Sequence, residues 1–173
     1  MGGIVSNPLV HLVCGSTGAG KTTYARALTE RIGGVLFSID EWMSTLFWMD
    51  TPQPIDAKWS IERVDRCLDQ IWAVARQIGS RVVPCVLDVG LGQASTRQRF
   101  YRLASDAGLS VQLHVLDVPP AERWRRVESR NRERGTTYDL PFDVTREMFD
   151  FVEALWEAPT DEEMAAHNGV RVS

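Results

Sequence analysis

Short apolar runs alternate along the chain with longer segments in which apolar residues recur every three or four positions. The short runs are typical of buried strands, and the periodic segments are typical of amphipathic helices. The predicted strands are Leu9–Cys14, Val35–Ile39, Val82–Asp88, Leu109–Leu116 and Val170–Val172. The predicted helices are Lys21–Ile32, Asp40–Trp48, Asp56–Ile78, Ser95–Ala107, Pro119–Arg134 and Thr145–Trp156. Strands separated by helices predict one α/β domain over residues 1–173, with a mostly parallel five-stranded sheet covered on both faces.

The longest periodic segment is also the clearest. Within Asp56–Ile78, the predicted core face consists of Ile61, Val64, Leu68, Ile71, Ala75 and Ile78. Polar or glycine residues follow four of the predicted strands, at Gly15, Asp40, Asp88 and Asp117. Because ligands of parallel α/β sheets bind at the carboxyl ends of the strands, we expect these four positions to share one edge.

A glycine-rich loop joins the first predicted strand to the first predicted helix. It fits the pattern G-x-x-x-x-G-K-[ST], in which glycines let backbone N–H groups turn toward a chain of phosphates. The helix adds its N-terminal dipole, Lys21 can reach the terminal phosphates, and the Thr22 hydroxyl can ligate Mg²⁺. The expected nucleotide-binding residues are Gly15, Ser16, Thr17, Gly18, Ala19, Gly20, Lys21, Thr22 and Thr23. We therefore expect a three-layer, nucleoside-kinase-like P-loop NTPase domain that binds ATP and Mg²⁺.

Asp88 ends the third predicted strand, where P-loop proteins commonly hold a carboxylate near the magnesium ion. A turn or helix-capping aspartate is the alternative. The next residue is Val89, whereas hydrolytic motor-type ATPases place a water-activating glutamate there. The pattern favours phosphoryl transfer to a bound acceptor over hydrolysis. Pro84 interrupts the same predicted strand and could displace Asp88 from this position.

Asp40 is the candidate catalytic base. It follows the second predicted strand, which we expect beside the P-loop strand, and a carboxylate there could accept the proton of an acceptor hydroxyl. A helix N-cap is the compatible alternative, because Asp40 precedes a helical stretch. The nearby aromatic residues either pack in the core or form the acceptor pocket, and Trp42 is the candidate acceptor contact among them. Arg97, after the strand of Asp88, is a further candidate acceptor contact, with a solvated helix start as its alternative.

Arginines dominate the positive charge. Lysine occurs only at Lys21 and Lys58, and six arginines lie between residues 123 and 134. Four of them, Arg123, Arg126, Arg130 and Arg134, are spaced to share one helical face. In a phosphate-binding protein such a stripe predicts a lid that stabilises charge on the transferred group, with Arg126 and Arg130 as the expected catalytic arginines. A solvated face paired with glutamates is the alternative.

Composition narrows the class of partner. The net charge of −4 argues against a general nucleic-acid binder. No apolar run reaches the length of a membrane span, and the start of the chain lacks the features of a signal peptide, so we expect a cytoplasmic protein. The three cysteines are widely spaced among apolar residues, which argues against a zinc site or a disulfide framework, and we expect Cys14 and Cys85 to pack in the core. No obligate protein partner is evident.

These motifs together resemble a known group. The P-loop, the Ser-Ile-Asp-Glu-Trp stretch at 38–42, Leu87-Asp88 followed by Arg97, and Arg126-x-x-x-Arg130-Asn131 resemble the small P-loop kinases labelled AAA_33. That group is similar to zeta toxins, chloramphenicol phosphotransferase and the kinase domain of polynucleotide kinases. The closing segment from Phe151 to Thr160 is similar as well. The resemblance implies ATP and Mg²⁺, a hydroxyl acceptor, Asp40 as base and Arg126 and Arg130 as lid arginines.

Three functions remain open from the sequence. The first is a kinase that phosphorylates a hydroxyl of a small-molecule acceptor. The second is a polynucleotide 5′-hydroxyl kinase, which the negative net charge disfavours. The third is an ATP-dependent switch without phosphoryl transfer, which would need no base at Asp40. The segment from Leu91 to Thr96 carries no signature that would identify the acceptor.

Overall fold

Strands and helices alternate through residues 9–133 and 142–172, the part of the chain that the computed structural model describes. The strands are β1 (Val10–Cys14), β2 (Val35–Ser38), β3 (Cys85–Asp88), β4 (Val111–Leu116) and β5 (Val170–Val172). The helices are α1 (Lys21–Ile32), α2 (Ile39–Phe47), α3 (Ala57–Gly79), α4 (Ala94–Asp106), α5 (Pro120–Arg132), α6 (Arg146–Ala154) and α7 (Asp161–Ala166), with a 3₁₀ turn at Trp48–Asp50. Helix α7 is an element that the sequence pattern did not predict.

The strands form one five-stranded sheet in the order β2-β3-β1-β4-β5. Every pairing is parallel, which confirms the predicted fold class. The expectation that β2 lies beside the P-loop strand β1 is wrong, because β3 lies between them. Burial explains this order: all four residues of β3 are buried and require neighbours on both sides, whereas half of β2 is only partly buried and suits an edge.

Helices cover both faces of the sheet. On one face, Leu12 and Cys14 of β1 pack with residues of α3 and α4 such as Ile71 and Phe100. On the other face, Val13 packs with residues of α1. Neighbouring side chains of a strand point to opposite faces, so the continuous apolar run of β1 supplies both cores. All three cysteines are buried, which confirms the predicted core packing of Cys14 and Cys85.

Two predicted boundaries need correction. The core face of α3 begins later than its periodicity suggests, because Ile61 is 61% exposed and the first buried residue of the helix is Cys67. Strand β3 begins at Cys85, three residues after the predicted start at Val82, which has a left-handed backbone and is 75% exposed. Pro84 therefore precedes the strand and does not interrupt it. Asp88 ends β3 as expected.

No helix in the described ranges, 9–133 and 142–172, is long and apolar enough to cross a membrane.

Two histidines meet in the interior next to α1. The Nδ1 of His11 lies 3.0 Å from the Nε2 of His114, and the Tyr24 hydroxyl lies 2.8 Å from the Nδ1 of His114. Burial, with the neighbouring charges of His11 and Arg31, lowers the pKa of His114 from 6.5 to about 4. The neutral form of His114 thus belongs to the folded state.

This shift predicts acid sensitivity of the fold. Because the pKa of His114 is lower in the folded chain, the unfolded chain binds more protons between about pH 4 and pH 6.5. The contribution of His114 to stability is therefore complete above pH 6.5 and is lost as the pH falls toward 4. Urea unfolding at several pH values should show a falling midpoint, with a shallower fall in His114→Gln. Parallel pH profiles for the two proteins would contradict this prediction.

Candidate active site

The P-loop lies between β1 and α1, at the carboxyl edge of the sheet. Gly20 precedes the first turn of α1 with a φ of 90°, and Gly18 has a φ of 79°. A Cβ atom on Gly18 would stand 2.5 Å from the backbone oxygen of Arg123, so no other residue fits there. The Nζ of Lys21 donates to the carbonyl oxygen of Ser16 at 3.3 Å. The loop thus brings the N-terminus of α1, with its dipole, and the side chain of Lys21 together.

Asp88 meets the P-loop helix from the end of β3. The Thr22 hydroxyl donates to its Oδ2 at 2.7 Å, and Asp88 is buried. Burial raises the pKa of Asp88, and the charge of Asp40 adds to this rise. The charges of Lys21 and Arg26 and the hydrogen bond from Thr22 oppose it. A buried carboxylate whose charge is poorly compensated is suited to a cation.

These two oxygen donors fit Mg²⁺. Magnesium prefers oxygen ligands and usually keeps several waters, with one or two carboxylates and substrate phosphates completing its shell. Thr22 and Asp88 supply a hydroxyl and a carboxylate at one point. The described residues contain no cluster of three or more His, Cys, Asp or Glu side chains that could hold a metal without such a substrate.

Asp40 lies in the first turn of α2, exposed to solvent. Ser38 is the N-cap of this helix, since its hydroxyl accepts from the backbone N–H of Glu41 at 3.4 Å. The capping alternative for Asp40 is therefore wrong. Its charge acts on Asp88 across the site, because β2 and β3 are paired with Ser38 opposite Asp88. The carboxylate is thus exposed to an incoming acceptor while it lies near the P-loop.

A cleft of about 190 Å³ opens beside Asp40. It is lined by residues of α2, of the 3₁₀ turn and the loop after it, of the start of α3, and of the segment before α6. These residues are Asp40, Met43, Ser44, Trp48, Thr51, Ile55, Trp59, Ser60 and Phe142. The acceptor-cleft, as we name this set, joins an aromatic-rich wall to the carboxylate of Asp40. A cavity at this place can hold a small molecule beside Asp40, the lining residue whose charge acts on Asp88.

Trp42 does not line the acceptor-cleft. Its ring packs against Phe37, with ring centroids 6.4 Å apart, and it joins the core on the α3 face of the sheet. Helical spacing explains the difference, because Met43 and Ser44 turn toward the cleft while Trp42 turns toward the sheet. Among the aromatic residues of this region, Trp48 and Trp59 are the ones that reach the cleft.

Arg97 is a core residue rather than an acceptor contact. Its side chain is fully buried in α4 and makes two hydrogen bonds to the carboxylate of Glu163, at 2.6 and 3.0 Å. It also donates to the carbonyl oxygens of Leu91, Gly92 and Glu157. The expectation from the sequence is wrong, because the buried guanidinium is occupied by the loop before α4 and by Glu157 and Glu163 of the C-terminal segment. Arg97 thereby ties α7, through Glu163, to the sheet domain.

The arginines of α5 differ in their surroundings. Arg126 is about half exposed, pairs with Glu122 and donates to the Ala19 carbonyl oxygen of the P-loop at 3.4 Å. Arg130 lies one turn later, and its Nη2 atom is buried without a hydrogen-bond partner among the described residues. An unpaired buried guanidinium nitrogen is suited to an anion. Arg134, predicted to continue this stripe, lies outside the described residues.

Arg123, the first arginine of the stripe, stabilises the P-loop. The sequence did not identify this role. It is 4% exposed and donates to the carbonyl oxygens of Thr17 at 3.2 Å and Val118 at 2.8 Å. Its Nη2 also pairs with Glu153 of α6 at 2.8 Å, and Glu153 accepts from the Ser16 hydroxyl at 2.8 Å. Residues distant in sequence thus hold Ser16 and Thr17, near the start of the loop, in place. In the sequence, Arg123 is simply one of the arginines of the stripe. Its burial in the structure is what indicates this role.

The family can now be stated. The model of the AAA_33 family, described as an AAA domain, matches residues 10–155. The chain belongs to this family. No curated protein matches the sequence at a significant level.

Solved structures, two kinases among them, share the fold of this AAA_33 chain. A sugar kinase from Janibacter sp. HTCC2649 superposes with a TM-score of 0.65 at 18% identity, over 95% of this chain and 84% of that one. A gluconokinase from Sinorhizobium meliloti 1021 gives 0.63 at 18% identity, over 95% and 82%. Chaetomium thermophilum Kti12 in complex with ADP-AlF3 gives 0.67 at 17% identity, over 95% and 88%. At these identities the likeness shows a P-loop kinase-like fold.

The structural role of Arg97 is testable. Replacing it with alanine leaves Glu163 in a partly buried site without its cation, so Arg97→Ala should lower the free energy of unfolding by about 3–5 kcal/mol. Arg99→Ala is the matched control, because Arg99 of the same helix makes only surface pairs, which contribute about 0–1 kcal/mol. Urea denaturation measures both. Similar unfolding curves for the two variants would contradict the assignment.

Proposed function

We propose that this AAA_33 chain is an ATP-dependent kinase that transfers the γ-phosphate to a hydroxyl group of a small-molecule acceptor. The observation that carries the proposal is the position of Asp40. An exposed carboxylate stands at the mouth of the acceptor-cleft and close enough to Asp88 for its charge to be felt there. A switch protein would need no carboxylate facing a cavity for a second molecule.

The P-loop and its neighbours support binding of a nucleoside triphosphate. Backbone N–H groups and the N-terminus of α1 suit the phosphates, and Lys21 supplies a point charge. We assign Thr22 and Asp88 as the side chains that hold Mg²⁺. The ion, when bound, neutralises charge on the β- and γ-phosphates. The Kti12 structure with ADP-AlF3 is a solved nucleotide complex in this fold.

The chemical step is an in-line displacement at the γ-phosphorus. The acceptor oxygen forms a bond to phosphorus while the bond between phosphorus and the β–γ bridging oxygen breaks. Asp40 takes the proton of the acceptor hydroxyl, and the products are the phosphate monoester and ADP. Arg126 and Arg130 supply positive charge to the transferring group. The Nη2 of Arg130, which has no hydrogen-bond partner among the described residues, can donate to an oxygen of that group. The protein contributes chiefly by positioning and by electrostatic stabilisation.

The base assignment predicts a selective loss. Asp40→Asn should leave ATP affinity nearly unchanged and lower the transfer rate by about 10²–10⁴-fold, the usual contribution of a positioned base. Asp50→Asn is the matched control, since Asp50 is exposed in the 3₁₀ turn outside the acceptor-cleft. Single-turnover transfer from labelled ATP, together with equilibrium ATP binding, measures the two effects. An unchanged rate in Asp40→Asn would favour a switch, and intact activity in Lys21→Ala would refute the P-loop mechanism.

The lid assignment predicts a loss in kcat. Arg130→Ala should lower kcat by about 10²–10³-fold with little change in KM, because a group that acts on developing charge stabilises the transition state selectively. Arg132→Ala, an exposed arginine of the same helix, is the control and should behave like the unmodified protein. Steady-state kinetics over a range of ATP concentrations separates the two constants. A change in KM alone would make Arg130 a ground-state nucleotide contact.

A further inference from the structure

The walls of the acceptor-cleft have an unusual chemical balance for a site beside a phosphate-binding loop. Five of its described lining residues are apolar or aromatic: Met43, Trp48, Ile55, Trp59 and Phe142. Three carry hydroxyls, namely Ser44, Thr51 and Ser60. The only acidic or basic lining residue in the described ranges is Asp40. A bound molecule therefore meets apolar surface, a few neutral hydroxyls and one carboxylate.

Arg63 contacts this wall, but its guanidinium is already engaged. The guanidinium of Arg63 lies over the ring of Trp59, 4.1 Å from its centroid, and donates to the Trp59 carbonyl oxygen at 3.1 Å. It also pairs with Glu62 at 3.7 Å. The guanidinium of Arg63 is therefore held against Trp59, and Arg63 does not line the cleft. It stabilises the wall rather than offering a charge to a ligand.

Aromatic pairs hold the wall in place. The rings of Trp48 and Phe142 are stacked with centroids 6.0 Å apart, and Trp59 packs edge-on against Phe47 at 6.4 Å. These pairs connect the 3₁₀ turn, the segment before α6, α2 and α3 around one cavity. Ile55 extends the apolar surface to the rim, where it is 44% exposed. Such rigid aromatic surface binds a flat apolar molecule without much loss of side-chain entropy.

We propose that the acceptor-cleft selects an uncharged, largely apolar alcohol and rejects anionic acceptors, a specificity that rests on the kinase function proposed above. An apolar scaffold gains from removal of its surface and that of the aromatic wall from water. A carboxylate or phosphate group would lose its hydration, find no cation among the described lining residues and be repelled by Asp40. The hydroxyl of the bound alcohol meets the carboxylate of Asp40 on the wall of the cleft.

This specificity differs from what the names of the structural neighbours suggest. The similar gluconokinase is named for gluconate, which is an anion, and the similar sugar kinase for a polyhydroxylated molecule. Both likenesses are at 18% identity and concern the fold. Because the same fold can present different walls to the acceptor, the cleft residues of this chain decide its substrate class.

Binding without ATP tests the cleft independently of catalysis. The probes are 1-naphthaleneethanol, an uncharged bicyclic alcohol, and 1-naphthaleneacetate, which carries a carboxylate on the same ring, with gluconate as a polar anion. Equilibrium dialysis of the full chain should give a dissociation constant of about 1 mM or below for the alcohol, as expected for a ligand of its size. The carboxylate should bind at least about tenfold more weakly because Asp40 repels it.

Two pairs of variants locate the binding. Trp48→Ala should weaken binding of the alcohol by about tenfold, whereas Met49→Ala, the neighbouring residue that is 91% exposed outside the cleft, should not. Ile55→Lys adds a cation at the exposed rim and should weaken the alcohol while strengthening 1-naphthaleneacetate. Met49→Lys adds the same charge outside the cleft and should leave both affinities unchanged. Circular dichroism of each variant verifies that the fold is intact.

The outcomes separate the two proposals. Preference for the alcohol, together with its loss in Trp48→Ala and the inverted preference in Ile55→Lys, supports the inference. The inference is overturned if 1-naphthaleneacetate or gluconate binds more tightly than the alcohol, or if the alcohol does not bind near 1 mM. It is also overturned if the Met49 variants change the affinities as much as the cleft variants do. Asp40-dependent phosphorylation of gluconate would retain the kinase function and overturn the specificity. Cleft binding of the alcohol with no phosphoryl transfer to any acceptor in a broad panel of alcohols would instead count against the kinase function.

Discussion

The site depends on one contact, the hydrogen bond from the Thr22 hydroxyl to the buried carboxylate of Asp88. It joins the end of a central strand to the helix that follows the P-loop, and it holds two oxygen ligands together. Burial makes the charge of Asp88 costly, so the carboxylate is stabilised by Lys21, by Thr22 and, when present, by a cation. The sheet order makes this contact possible, because β3 lies directly beside β1 and brings Asp88 under the loop. The same order places β2 beyond β3 and sets Ser38, two residues before Asp40, opposite Asp88.

A second buried charge holds the loop from the opposite side. Arg123 binds two backbone carbonyls and Glu153, and Glu153 in turn binds Ser16. Removing one member would leave the others buried without compensation, so the network favours a single loop conformation. The arginine-rich helix therefore combines two roles. Its first arginine supports the P-loop from the interior, whereas Arg126 pairs with Glu122 and Arg130 keeps a buried nitrogen without a partner among the described residues.

The P-loop and the cleft beside Asp40 lie in different parts of the fold. The P-loop and Asp88 lie at the ends of central strands, within the fold that this chain shares with solved kinases. The cleft is built from α2, the 3₁₀ turn, the start of α3 and the segment carrying Phe142, all of which lie outside the sheet. Side chains of the cleft can therefore differ between proteins of this fold without disturbing the strands that position Asp88.

The sequence by itself determined the parallel α/β fold, the P-loop and the positions of Asp40 and Asp88, because these follow from local periodicity and from motifs of fixed spacing. It did not determine the strand order, the capping role of Ser38 or the surroundings of the arginines. Arg97 and Arg123 look like ordinary helix arginines in the sequence, yet both are buried, because their partners Glu163 and Glu153 come from the C-terminal segment. Trp42 and Trp48 were likewise indistinguishable until the direction of each side chain was known. Long-range packing decides such questions, since whether a polar or aromatic side chain is functional depends on partners brought together only by the tertiary fold.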